Sequence, residues 1–164
     1  MAESRSGADG EASVSIRRAA LADLDVLVRL RLAMLDEINA QGIPTNVQKL
    51  AAANRRYFAQ RIPDERYVGW LAEADGQVVA TAGLVFFERP PGVQNLSGIE
   101  AYVLNVYTLP DWRGRGIAAQ IVEALIAYAR TTSIRRLWLH ATPDGAHIYQ
   151  RAGFIDRIEM ELRW

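Results

Sequence analysis

Residues 102–118, which read YVLNVYTLPDWRGRGIA, decide how this 164-residue chain folds. The largely apolar, β-prone run 103–107 predicts a buried strand, and Pro110 ends it because proline cannot donate to a β-ladder. Residues 113–116 then form a glycine-rich loop that leads directly into a segment with apolar residues at helical spacing. The stretch therefore predicts a strand, a short turn, and a loop at the N-terminus of a helix.

A glycine loop that opens a helix is suited to binding an anion. The first N–H groups of a helix have no intrahelical partner, and the helix dipole adds positive potential there. Gly114 and Gly116 allow a phosphate to approach the main chain closely. Arg113 and Arg115 add positive charge. The sequence therefore predicts a cofactor that carries phosphate groups.

The loop also fits the dinucleotide fingerprint superficially, through Gly114-x-Gly116-x-x-Ala119. That fingerprint requires the loop to follow the first strand of a βαβ unit, with an acidic residue about 20 positions later for the ribose. Residues 132–136 contain no acid, and the loop lies two-thirds of the way along the chain. A Rossmann-type dinucleotide site is therefore disfavoured.

Two motifs point to another family. Residues 113–118 (RGRGIA) fit the pattern Gln/Arg-x-x-Gly-x-Gly/Ala at every constrained position, and residues 148–154 (IYQRAGF) match an LYxxxGF element. With a helix and a strand between these motifs, the chain resembles the GNAT superfamily of acyl-CoA-dependent N-acyltransferases. The resemblance covers residues 13–164, with only the layout matching in the first third. It implies one N-acetyltransferase domain over 13–164. Residues 1–12 are small, polar and charged with no apolar period, which predicts a flexible extension.

The resemblance also implies where acetyl-CoA binds. In the resembled family, the strands on either side of the cofactor helix splay apart, and the pantetheine arm lies between them. Backbone groups of Val106 and Thr108 would pair with the arm, and those of residues 113–118 would hold the pyrophosphate. Thr142 stands where many members have an asparagine, and it can donate one hydrogen bond. The expected cofactor-binding residues are Val106, Tyr107, Thr108, Arg113, Gly114, Arg115, Gly116, Ile117, Ala118 and Thr142.

Acyl transfer from a thioester to an amine needs a deprotonated amine, a donor to the oxyanion and an acid for the leaving thiolate. By family position, Tyr149 is the expected acid and the Val106 N–H the expected oxyanion donor. A phenol, with a reference pKa of about 10, can protonate a thiolate whose conjugate thiol has a pKa of about 8.5. Glu100 is the candidate base, and Asn105 could orient water or substrate. His140 could titrate near neutrality or be structural.

Composition restricts the remaining possibilities. Nineteen basic and nineteen acidic residues give no net charge, so no overall field attracts nucleic acid. The absence of cysteine excludes an acyl-enzyme on sulfur and favours direct attack in a ternary complex. No metal is expected. No apolar run approaches the ~18–20 residues of a membrane span, and no signal-peptide core is present, so we expect a cytoplasmic protein.

The pattern predicts an α/β (α+β) fold in one domain. We expect a mixed, mostly antiparallel sheet with helices on both faces and one parallel strand pair, and the resemblance implies that this pair splays at the cofactor site. Predicted strands cover 14–18, 67–74, 77–87, 99–108, 136–140 and 158–164. Predicted helices run from 23 to about 39, from 47 to 61, from 114 to about 132, and from 143 to 151.

The sequence therefore indicates transfer of an acetyl group from acetyl-CoA to a primary amine, with a small-molecule acceptor favoured. The alternatives are a protein or peptide N-acetyltransferase, and a non-catalytic acyl-CoA-binding module. No motif encodes the acceptor. Asp36, Glu37 and Asn39 could meet a cationic amine or simply form a solvated helix end, and the 88–98 loop could line the substrate site. A homodimer through the apolar C-terminal strand is a further possibility.

Overall fold

A computed structural model describes residues 13–39 and 46–162 of the protein. Within these residues, five strands and four helices follow one another, and two 3₁₀ turns at Leu21–Asp23 and Pro110–Trp112 accompany them. The elements are β1 (Ser15–Arg18), α1 (Leu24–Ile38), α2 (Val47–Arg61), β2 (Tyr67–Ala74), β3 (Gln77–Glu88), β4 (Ile99–Thr108), α3 (Ile117–Thr131), β5 (Leu137–Trp138) and α4 (Ala146–Arg151).

The strands form one sheet in the order β1-β2-β3-β4-β5. All neighbours are antiparallel except β4 and β5, which are parallel because α3 carries the chain back across the sheet between them. The apolar side of α3 packs on one face, and α1 and α2 pack on the other. The predicted fold class is confirmed.

Local sequence signals explain the boundaries that were predicted correctly. Asp75 and Gly76 both take left-handed φ values, 50° and 74°, as the tight hairpin between β2 and β3 requires. Asn46 caps α2, since its side-chain oxygen accepts from the Lys49 N–H at 3.1 Å. Gly83 in β3 leaves room for a ring, because a Cβ there would lie 2.6 Å from the Tyr67 hydroxyl.

Three predictions of element length were wrong. β5 covers only Leu137–Trp138 rather than 136–140, and α3 and α4 each begin three residues later than predicted. Gly114 and Gly116 take left-handed φ values, which a helix interior does not allow. Residues 143–145 form a turn instead of the first helical turn of α4.

The strand predicted at 158–164 is absent from its described part, residues 158–162. Ile158, Met160 and Leu162 alternate as a strand would, but they are 97%, 96% and 79% exposed. An alternating apolar pattern gives a strand only where a partner strand and a packed face are available. The predicted extension at 1–12 and the last two residues lie outside the described part. No helix in the described ranges has the length and apolar character to cross a membrane.

Candidate active site

The strands β4 and β5 part soon after they meet. They pair only at Ala101 with Leu137 and at Tyr102 with Trp138. β4 then continues to Thr108 while it stays paired with β3 on its other side. Among the described residues, no strand pairs with the β5-facing edge of residues 103–108. The parallel pair is therefore open towards its C-terminal end.

A β-bulge lies within this open stretch. Residues 81–83 of β3 face residues 104–107 of β4, so β4 has one extra residue at Asn105. Asn105 takes a left-handed φ of 56°, a conformation that asparagine tolerates better than most residues. Further on, the Leu109 N–H donates to the Val79 carbonyl at 2.9 Å. Backbone groups alternate between strand edges, so the N–H groups of Val106 and Thr108 face the open edge.

Side chains from both N-terminal helices hold this bulge. Arg31 on α1 donates through Nη1 to Asn105 Oδ1, and through Nε to Asn54 Oδ1 on α2 at 2.6 Å. Asn105 Nδ2 reaches the Tyr67 hydroxyl at 3.4 Å. Burial lowers the pKa of Arg31 and raises the pKa of Tyr67 to about 12. Sequence reasoning placed Asn105 at the site but missed Arg31, Asn54 and Tyr67, which carry no motif.

The glycine loop presents its main chain to open space. Gly114 and Gly116 have φ values of 73° and 75°, and a Cβ added to either would find no atom within 4 Å. Gly116 is also the N-cap of α3, so the first N–H groups of that helix adjoin the loop. This clear surface with free N–H groups fits a pyrophosphate.

Arg113 fixes the loop rather than projecting its charge outward. Its Nε donates to the Thr108 carbonyl at 2.9 Å, and its Nη2 lies 2.7 Å from Glu37 Oε2. The Tyr107 hydroxyl donates to Glu37 Oε1 at 2.5 Å. Hydrogen bonds from Tyr107 and then Arg113 lower the pKa of Glu37. Glu37, a candidate for meeting a cationic amine, is therefore already engaged with the cofactor loop.

Arg115 is held by fewer hydrogen bonds than Arg113. Its guanidinium lies over the Trp112 ring at 4.7 Å and donates to the Asp111 carbonyl at 3.1 Å. It has no ion-pair partner among the described residues. Its charge is therefore less compensated than that of Arg113.

Tyr149 lies on α4, partly buried, with its ring edge-on to Phe154 at 5.8 Å. Burial, with a smaller contribution from the neighbouring Tyr102, raises the pKa of Tyr149 to about 12. Among the described residues, nothing accepts or donates a hydrogen bond at its hydroxyl. Nearby, Thr142 Oγ1 accepts from the Gly145 N–H at 3.3 Å, which leaves its own hydroxyl proton available for donation.

Glu100 is not brought together with these residues. It lies near the start of β4, buried, between Arg136 at 3.2 Å and Arg89 at 3.4 Å. At a rise of about 3.3 Å per residue, it stands roughly 20 Å along the strand from Val106. Its position suits a structural ion pair better than contact with a reacting amine.

A cavity that sequence reasoning missed opens where β4 and β5 separate. It has a volume of about 360 Å³ and is open to solvent. Side chains from three neighbouring strands and the residues just after β5 line it: Val85, Phe87, Tyr102, Leu104, Trp138 and His140. The only available signal was the two-residue spacing within each strand, which places these side chains on one face.

The sequence profile of the Acetyltransferase (GNAT) family matches residues 33–154, which is well over half of the chain. The protein belongs to the GNAT acetyltransferase family. Solved structures agree with this assignment. A predicted acetyltransferase from Clostridium acetobutylicum, crystallised with acetyl-CoA, is 32% identical over 92% of this chain and 96% of its own, with a TM-score of 0.82.

A GCN5-related N-acetyltransferase from Ralstonia eutropha JMP134 is 29% identical over 93% of this chain and 99% of its own, with a TM-score of 0.78. A comparison with curated proteins gives no match. GNAT enzymes use acetyl-CoA, and in this GNAT protein the glycine loop and the open β4 edge have the free main-chain groups that such a molecule requires.

Proposed function

We propose that residues 13–164 form one N-acetyltransferase domain that transfers an acetyl group from acetyl-CoA to the primary amine of a small molecule. The observation that supports this most strongly is the open edge of β4, with its bulge at Asn105, beside the left-handed glycine loop. One edge offers a path for an extended arm, and the loop offers N–H groups to its phosphates. These two features share one end of the sheet.

The loop and strand residues divide the binding between them. The Val106 carbonyl and the Thr108 N–H pair with the pantetheine arm, and the backbone of residues 113–118 binds the pyrophosphate. The Thr108 carbonyl already accepts a hydrogen bond from Arg113, so the Thr108 N–H is the backbone group of this residue that is left for the arm. Tyr107 and Arg113 act through Glu37 to fix the loop, and Thr142 donates one hydrogen bond.

The chemistry follows from groups that surround the open edge. Acetyl-CoA supplies the activated thioester when it is bound. The Val106 N–H donates to the developing oxyanion, and Asn105 sets the direction of that N–H by holding the bulge. Tyr149 protonates the leaving thiolate; its raised pKa of about 12 keeps the phenol protonated at neutral pH. With no cysteine in the chain, the amine attacks directly.

The size of the cavity supports a small acceptor, while the base stays open. The cavity of about 360 Å³ lies within the size range of small-molecule sites. Glu100 stays a hypothesis for the base, although a proton from the amine would need a relay of water along β4 to reach it.

A homodimer is a separate proposal. Apolar residues within 158–162 are exposed and would be covered if two copies of the chain packed together there.

Thermal unfolding with acetyl-CoA, longer acyl-CoAs and NAD(P)H tests the cofactor, and thiol release with a panel of amines tests the transfer. Acetyl-CoA at a hundred times its Kd should stabilise the fold by about 2.7 kcal/mol, whereas the nicotinamides should not. Stabilisation by the nicotinamide alone would contradict the proposal. Binding of acetyl-CoA without thiol release from any amine would favour a non-catalytic acyl-CoA-binding module.

A further inference from the structure

The cavity at the β4–β5 split has walls made mainly of aromatic rings. Trp138 lies at its centre, 4.7 Å from the Tyr102 ring at 69°, 5.6 Å from His140 at 79°, and 6.0 Å from Phe87 at 83°. These edge-to-face angles leave the rings standing at steep angles to one another rather than stacked. A flat ligand ring can stack on one wall while the edges of the others meet its face or rim.

The position of this aromatic cavity fits the proposed reaction. Tyr102 and Trp138 are the last paired residues before the strands part, and Leu104 directly precedes the bulge at Asn105. Tyr149 is close enough to Tyr102 for the two phenols to influence each other electrostatically. A molecule in the cavity therefore lies beside the open β4 edge and the proposed acid.

The charges around the cavity select against a polycation. Arg89 lies over the Phe87 and Trp138 rings at 5.6 and 5.9 Å, and Arg136 lies over Trp138 at 5.1 Å. The nearby carboxylates of Glu100 and Glu159 are paired with these arginines or with His140. Among the residues that the structure describes, no carboxylate lines the cavity itself. A second or third ammonium group would therefore find no carboxylate in this lining to pair with, since the nearby carboxylates are already engaged.

Trp138 has a buried hydrogen-bond donor that no described residue accepts from. Its Nε1 is buried without a hydrogen-bond partner in the part of the chain that the structure describes. An unpaired buried donor is unfavourable, and leucine or phenylalanine would give an apolar wall without one. The contribution of Trp138 to the cavity is therefore the surface of its indole ring and not its N–H group.

The cavity has one polar end. His140 Nε2 lies 3.0 Å from Glu159 Oε2, and its Nδ1 lies 2.9 Å from the Tyr102 hydroxyl. In the neutral tautomer whose Nε2–H donates to the carboxylate, Nδ1 is free to accept from that hydroxyl. Arg136 holds the same Glu159 at 3.2 Å. An amine beside Tyr102 can pass a proton to the phenol oxygen while the phenol proton moves to His140.

We propose that the aromatic cavity is the acceptor site and that it takes a primary monoamine bearing a flat aromatic group, with the amine directed to the Tyr102–His140 pair. This rests on the proposed acetyl transfer. The ammonium group gives one proton to the pair, and its nitrogen then forms the C–N bond to the thioester carbon as the C–S bond breaks. The sulfur takes the proton of Tyr149, which regains one from the new amide nitrogen.

The acceptor class is tested by thiol release with saturating acetyl-CoA and three amines: 2-phenylethylamine, 2-cyclohexylethylamine and spermidine. The first two differ in the flatness of the ring at equal chain length. We expect kcat/KM for the phenyl compound to exceed that for the cyclohexyl compound by about 2- to 10-fold, as aromatic contacts add to simple burial. Spermidine should be the poorest. A triamine or saturated amine preferred over the phenyl compound would overturn the inference.

Variants of the walls and of the polar end should behave differently. Trp138→Leu should raise KM for 2-phenylethylamine about 10-fold or more, whereas Trp138→Phe, which keeps a ring, should stay within about 3-fold. Tyr102→Phe keeps its ring, so KM should hold while kcat falls by about 100-fold. Leu21→Ala, at a 48% exposed position in the 3₁₀ turn before α1, is the control. Equal losses for all amines in Trp138→Leu would exclude the cavity as the acceptor site.

Calorimetric titration of 2-phenylethylamine into the protein with CoA present separates this inference from the function on which it rests. Binding that Trp138→Leu weakens, without turnover in any assay, would retain the acceptor class and refute acetyl transfer. Turnover of other amines, with no binding of this one, would refute the acceptor class and retain acetyl transfer.

Discussion

The two halves of the candidate site are built from different parts of the chain. The cofactor half consists of main chain: two glycines with left-handed φ values, the N-terminus of α3 and the unpaired edge of β4. The half that we propose for the acceptor consists of side chains that three strands and the segment after β5 bring to one cavity. A main-chain site depends on where side chains are absent, whereas a side-chain site depends on which ones are present.

The largest effect should follow from filling the main-chain half. Gly116→Asp places a carboxylate in the open space where phosphate would lie, and aspartate tolerates the left-handed conformation of this N-cap. We expect acetyl-CoA affinity to fall more than about 100-fold by calorimetry, since like charges meet at a desolvated contact. Gly116→Asn, of the same size but neutral, is the matched control. Equal affinity in the aspartate variant and the native protein would disprove the loop assignment.

This contrast also explains what the sequence could reveal. Gly114, Gly116 and the strand before them were identified because glycine and proline report main-chain conformation directly. The bulge at Asn105 could not be located, since it depends on the register between β3 and β4. The aromatic cavity could not be predicted from the sequence for the same reason. Its residues are spread from 85 to 140, and only the pairing of strands brings them together.

The failed C-terminal prediction has a related cause. Residues 158–162 have a strand pattern, but a strand needs a partner in register, and β5 is only two residues long. By contrast, the Asp75-Gly76 hairpin was predicted correctly because its turn and both strands are contiguous in sequence. Local signals predict local pairs, while distant pairs depend on the whole sheet.

A side-chain deletion at the proposed acid should have the next largest effect. Tyr149→Phe removes one hydroxyl from the acceptor side of the site, and we expect kcat to fall by about 100-fold with acetyl-CoA affinity unchanged. Because the pKa of Tyr149 is raised to about 12, the native rate should not decline through loss of this proton below about pH 11. Tyr128→Phe, whose ring packs against Trp70 on the α3 side, is the control. A rate that hardly changes in Tyr149→Phe would mean that water protonates the thiolate.

The bulge at Asn105 lies between the cofactor half and the acceptor half of the candidate site. A substitution of Arg31, which holds the bulge, tests whether it links them. Arg31→Met leaves the buried oxygens of Asn54 and Asn105 without their donor, which should lower the free energy of unfolding by about 1–3 kcal/mol. Since the bulge directs the Val106 N–H, kcat should also fall. Urea unfolding and steady-state kinetics measure the two effects. Arg29→Met removes an exposed charge from the same helix and is the control. A loss of stability with full activity would show that Arg31 supports the fold alone.

The smallest effects should come from the loop arginines. If the cofactor half functions through main chain, Arg115→Gln should change acetyl-CoA affinity by less than about 3-fold, as exposed charges contribute about 0–1 kcal/mol. Arg113→Gln should cost more, up to about 5-fold, because it also releases Glu37 and the Thr108 carbonyl. Calorimetric titration with acetyl-CoA at two salt concentrations measures the affinity of both variants. A loss above 10-fold for Arg115→Gln would move the site from main-chain to side-chain recognition.

The Arg31–Asn105 bond also bears on how the protein is made. Asn105 holds a left-handed conformation that is unfavourable for an isolated strand, and its partner comes from a helix that precedes it by 74 positions. During synthesis, α1 and α2 leave the ribosome before β4 does, because the chain is made from its N-terminus. The order of translation therefore supplies the guanidinium before the strand that needs it. A circularly permuted chain that delivered β4 first would have to form the bulge without that support.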